Sequence, residues 1–187
     1  MPPRGQALAE FALILPVMLL LVLGIVDFAR LYTTQVTVEA AAREAADYGA
    51  FQASQWDPVS ANATVYGPAG MVERACTAAG SLPDYVATGT STTVPTGDDC
   101  SGAGSNPTFA CQLETSTGTV IGPCGQGSAT CANPATDPPC VVDVSMTYTF
   151  HTLVSMTIPI LNFSPYPATI TYTRESRFAV SDLAGPP

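Results

Sequence analysis

The sequence predicts an α+β protein: a long N-terminal helix that inserts into a membrane and packs, through its outer half, on a small antiparallel β-sheet domain with disulfide-stapled loops. Three observations carry this reading. Residues 11–26 hold no charge and are almost wholly apolar. Residues 142–151 alternate apolar and polar side chains at the period of a half-buried strand. All six cysteines lie C-terminal to the helical pattern.

The helix comes first. Phe11 to Val26 contains twelve Leu, Ile, Val and Phe residues, whose insertion into a bilayer is worth roughly −4 to −7 kcal/mol in sum. Glu10, at the near end of the run, costs no more than about 3 kcal/mol on the same scale. The segment therefore inserts. Its apolar core is shorter than the roughly 20 residues of a full span, and Gln6–Ala9 and Phe28–Tyr32 extend it through both interfaces. Arg4 is the charged residue ahead of Gly5, which places the leader on the cytoplasmic side and the C-terminal part outside. Pro16 and Gly24 are costly inside a helix in water but tolerated in a membrane, where neighbours re-satisfy the freed carbonyls. Pro16 either kinks the helix or is simply accommodated.

Two kinds of targeting signal fit this start. A secretory signal has a basic region, an apolar region and a small-residue cleavage site, and the alanines at 40–42 and 45–46 are small enough. Against it, the apolar region runs long and the helical pattern continues through those alanines. The other reading is a prepilin-type signal, in which a short basic leader ends at Gly5 and the mature chain starts at Gln6, with Glu10 as its fifth residue. A carboxylate at the edge of the hydrocarbon invites a cationic partner; the plainer alternative is a Glu10 solvated at headgroup level.

Beyond the membrane the helix turns amphipathic. Gln35, Glu39, Arg43 and Asp47 recur at four-residue steps, with Glu39–Arg43 and Arg43–Asp47 expected as ion pairs worth a few tenths of a kcal/mol each. Val38, Ala41, Ala42, Ala45 and Gly49 form an opposite face of small residues that permits close approach of the chain's own domain or, less favoured, of another subunit. From Gln6 to about Tyr48 the helix would be about 65 Å long, ending near Gly49. Pro68 opens a second, short amphipathic helix that stops at Gly80.

Residues 80–140 are rich in Gly, Ser, Thr, Pro and Asp, and 88–96 verge on low complexity. Cys76, Cys100, Cys111, Cys124, Cys131 and Cys140 read as three disulfides in an oxidising compartment, with the pairing left open. None of their spacings is the close C-x2–4-C pair of a zinc site, and the single histidine, His151, lies outside the cluster. No metal or other cofactor is expected. Thr108–Glu114 and Thr119–Gly122 are expected as a hairpin around Thr115-Ser-Thr-Gly118.

The clearest strand places Val142, Val144, Met146, Tyr148 and Phe150 inward, with Asp143, Ser145, Thr147, Thr149 and His151 on the wet face. His151 is an exposed strand-end residue. A final strand spans Ala168 to Val180, with Ile170, Tyr172, Phe178 and Val180 on one face; Arg174 and Ser176 interrupt that face, and a bulge or break is expected there. The apolar connector between the strands, Leu153 to Phe163, is expected to fold onto the core, with an exposed patch for a partner or for the membrane surface as its rival.

Composition excludes several functions. A net charge of −9, with no lysine and six arginines, argues against nucleic acid as a partner. No phosphate loop, HExxH, GxSxG or second histidine is present, so no catalytic residues are assigned and an enzyme is not expected. Asp98 and Asp99 lack the further ligands of a calcium loop.

Residues 5–16 (GQALAEFALILP), 24–30 (GIVDFAR) and 41–46 (AAREAA) together resemble the N-terminus of TadE-like pseudopilins of the tight-adherence pilus system. The likeness covers residues 4–50, returns at the C-terminal strands through Arg174-Glu175, and leaves 51–140 uncovered. It implies a pilin-like shape and a division into a leader (1–5), a long helix (6–50, with 6–30 in the membrane) and an extracytoplasmic domain (51–187). It further implies cleavage between Gly5 and Gln6 by a prepilin peptidase, and assembly through Glu10 and Pro16, with the freed amine of a neighbouring subunit as the partner of Glu10. The implied function is a minor pilin or pseudopilin, held in the inner membrane with its N-terminus in, supporting pilus biogenesis and adhesion. Its partners would be other pilin-like subunits, the inner-membrane assembly platform and membrane lipid. A major filament subunit, extracellular once assembled, and a membrane-tethered extracytoplasmic binding module are the alternatives; Gly5 with Glu10 discriminates, since a plain anchor needs neither.

Overall fold

The computed structural model describes residues 4–51, 68–90, 98–100, 104–124, 140–153, 156–158 and 163–180. Helix α1 is Arg4–Phe51 and α2 is Pro68–Ala79. The strands are β1 (Gly89–Thr90), β2 (Asp98–Asp99), β3 (Thr108–Thr115), β4 (Val120–Pro123), β5 (Cys140–His151), β6 (Met156–Ile158), β7 (Phe163–Tyr166) and β8 (Thr169–Ala179). Two compact units divide the chain: one comprises residues 1–34 and 150–170, the other 35–149 and 171–187.

The larger unit is built on a four-stranded sheet in the order β4-β3-β5-β8. Strand β3 runs antiparallel to β4 and to β5, with Cys111 opposite Val144 and Thr115 opposite Cys140. Hydroxyl contacts between Thr147 and Thr173 (2.8 Å) and between Thr149 and Thr171 (3.1 Å) give the antiparallel sense of β5 against β8. The expected β3–β4 hairpin forms about Thr115–Gly118, where Gly118 has a φ of +83°, a conformation that glycine adopts without a Cβ penalty. Val142, Val144, Met146 and Tyr148 of β5 are fully buried, as the period-two pattern requires.

Onto this sheet packs the outer part of α1. Val38, Ala41, Ala42 and Ala45 are fully buried, so the small-residue face is covered by the chain itself. At Gly49 the nearest atoms belong to Met71 of α2 and Val142 of β5. Arg174 does not break β8, which runs unbroken through it: its Nη2 donates to Gln35 Oε1 of α1 at 3.0 Å, which gives the charged end a partner on this partly buried face, although its Nε is buried without one. The ion pairs expected along α1 do not close to 4 Å among the described residues; Glu44 instead meets Arg74 of α2 at 2.9 Å. On the wet face of the sheet, Arg177 lies 3.0 Å from Asp143 and 3.6 Å from Glu114. Its pKa is raised by hydrogen bonding to Asp143 and by the nearby carboxylates.

Disulfides Cys76–Cys100 and Cys111–Cys124 tie α2 to the chain after β2 and β3 to the end of β4. Cys140 is disulfide-bonded as well; Cys131 lies outside the described residues. Asn106 closes the loop after α2. Its Nδ2 donates to the carbonyls of Asp84 (3.0 Å) and Thr149 (2.9 Å), and its Oδ1 accepts the N–H of Thr149 at 2.8 Å.

In the smaller unit, β6 and β7 form an antiparallel hairpin with Met156 opposite Tyr166 and Ile158 opposite Phe163. This hairpin was not legible in the apolar connector. Whether the connector's side chains fold onto a core lies outside the described residues.

Candidate functional site

The exposed apolar surface of the chain is concentrated on the N-terminal half of α1. Among the described residues, α1 is the one helix long and apolar enough to cross a membrane. Its apolar side chains are not core: Leu13 is 76% exposed, Ile25 65% and Phe28 69%. Each large apolar side chain gains roughly 1.5–3 kcal/mol on leaving water, so this surface needs lipid or a partner helix to cover it. Pro16 sits in the helix interior and α1 continues through it, as a membrane helix permits.

Gly5 and Gln6 are both within α1, and Glu10 is on its exposed surface. The structure brings no catalytic set together at these positions, and among the described residues no group of His, Cys, Asp or Glu side chains is arranged to hold a metal. His151 is exposed at the end of β5.

A feature that sequence reasoning passed over lies at the far end of the apolar run. Asp27, the first charge after Glu10, is only 2% exposed. Its two carboxylate oxygens accept the backbone N–H of Leu153 at 3.2 and 3.0 Å, and Arg30 Nη1 stands 3.3 Å away. The Arg30 guanidinium also lies 5.3 Å from the centre of the Phe150 ring, within cation–π range. A buried carboxylate needs this many partners. The i, i+3 spacing of Asp27 and Arg30 was the available signal; the Leu153 N–H, 126 positions on, left none in the sequence.

Residues 5–47 match the model of the TadE-like protein family. The TadE-like segment thus takes in Gly5, Gln6, Glu10, Pro16, Asp27 and Arg30, and stops just before Gly49. The remaining chain, 48–187, lies outside the TadE-like match. No curated protein and no solved structure matches the chain.

Proposed function

We propose that this protein is a pilin-like structural subunit, a minor pilin or pseudopilin, of a tight-adherence type IV pilus. The observation that carries the reading is coincidence: the TadE-like match falls within helix α1, and takes in the whole stretch of α1 whose large apolar side chains the fold leaves exposed. In this reading a prepilin peptidase cuts after Gly5, and Gln6 becomes the new N-terminus. The helix holds the subunit in the inner membrane, N-terminus in, with the disulfide-bonded domain outside. Assembly through the helix, at the membrane platform and with other pilin-like subunits, then supports pilus biogenesis and adhesion. The role is structural, not enzymatic.

Glu10 supplies the test. A carboxylate at the inner edge of the hydrocarbon is stabilised by the amine freed at Gln6 of a neighbouring subunit. Glu10→Leu is expected to keep or improve membrane insertion while lowering co-purification with other pilin-like subunits by about tenfold, the loss that corresponds to about 1.4 kcal/mol. Unchanged assembly would leave the second reading, a tethered binding module. That reading has its own support in an open groove of about 620 Å³ between Glu39, Arg43 and Asp47 of α1 and Phe178 of β8.

A further inference from the structure

Residues 152–170 contain no charged side chain, in a chain that carries 21 formal charges as 6 basic and 15 acidic residues. The stretch is closed at its base: Thr152 donates its N–H to the carbonyl of Ala168 at 3.0 Å and its hydroxyl to that of Pro167 at 2.8 Å. Within it β6 and β7 pair, with Met156 opposite Tyr166 and Ile158 opposite Phe163. The hairpin belongs to the same compact unit as residues 1–34. Asp27 fixes its height along α1, because its carboxylate holds the N–H of Leu153, the residue with which the excursion begins. Asp27 is also the first charge after the apolar run, and so marks where the hydrocarbon ends.

We propose that the β6–β7 hairpin is a second membrane contact, lying in the headgroup–acyl boundary of the outer leaflet beside α1. The proposal rests on the reading of α1 as membrane-embedded. Lipid is the occupant because the stretch leaves the helix at the hydrocarbon edge and carries no charged residue in its sequence. Leu153, at 58% exposure, is already uncovered there. Phe and Tyr are residue types that settle at the membrane–water interface. With no cation in the stretch, attraction to anionic lipid contributes nothing, so the contact is insensitive to salt. The bond from Leu153 to Asp27 has a matching purpose: it withdraws a carboxylate that would otherwise face this boundary.

The test uses the full chain in phosphatidylcholine nanodiscs that carry lipid brominated either near the headgroup end or near the methyl end of the acyl chains. In a Trp56→Phe background, single tryptophans are placed at Phe163, at Ile158 as a second hairpin position, and at Leu19 in α1. Intact disulfides, checked by alkylation, report folding. Loss of emission from both hairpin tryptophans, unchanged in high salt, is the expected result. Quenching at Leu19→Trp alone overturns the hairpin contact while leaving the anchor in place. Quenching at none of the three overturns the anchor, and the hairpin contact with it. Hairpin emission that lipid leaves unchanged but an added pilin-like subunit shifts would assign the surface to protein, and the lipid proposal would fall.

Discussion

A Cβ added to Gly49 would stand 2.7 Å from both Sδ and Cε of Met71, and 3.3 Å from Cγ1 of Val142. Met71 is fully buried, so its thioether end can yield only by repacking against its neighbours. Gly49→Val should therefore overpack the junction of α1, α2 and β5, at a cost of about 1–3 kcal/mol. A thermal melt of the detergent-solubilised chain, followed by near-ultraviolet circular dichroism, measures this. A Tm equal to that of the parent would mean that α1 does not approach so closely.

Asn106 makes three side-chain hydrogen bonds, to Asp84 and twice to Thr149. Replacement by Leu keeps the volume and leaves those backbone groups without their partner. At about 0.5–1.5 kcal/mol for each net bond, Asn106→Leu should destabilise the larger unit by about 2–4 kcal/mol. Amide hydrogen exchange at Thr149 should accelerate before exchange at the centre of β5 does; equal protection at both would count against the assignment.

Cys76 and Cys100 are both buried and bonded to each other across 24 positions. A closed loop of that size corresponds to about 3 kcal/mol of stability through restriction of the unfolded chain. The Cys76→Ala, Cys100→Ala double variant should lose about that much in a denaturant titration. Alkylation of the parent chain under non-reducing, denaturing conditions should leave Cys76, Cys100, Cys111, Cys124 and Cys140 unlabelled.

Processing rests on Gly5 and Gln6. Intact mass of the protein from its native membrane should correspond to a chain that begins at Gln6, and Gly5→Leu should shift the mass up to that of the uncut chain. A mature N-terminus near Ala42 would instead establish an ordinary secretory signal.

How legible was all this in the sequence? Strand β5 was, because one buried and one wet face force strict alternation on its side chains. Helix α2 was also legible between Pro68 and Gly80, the residues that start and stop it. Short strands were not: β1, β2, β6 and β7 span two to four residues each, too few to establish a period. Arg174 misled for a different reason. A guanidinium on an apolar face reads as a break unless its acceptor is known, and Gln35 is 139 positions away. A separation of 126 positions likewise hid the partner of Asp27. At the candidate site, the extent of the exposed helix was plain from its apolar run, while the parts given to Gly5, Glu10 and Pro16 came from the family resemblance and await their variants.

The disulfides make the state of the larger unit depend on the redox poise of the compartment it occupies. Cytosolic reductants keep thiols apart, whereas an oxidising compartment lets them join. In a reducing compartment Cys76 and Cys100 would stay thiols, and the staple between α2 and the chain after β2 would be missing. In the orientation proposed above, closure of Cys76–Cys100 would follow the crossing of the C-terminal part and so report it.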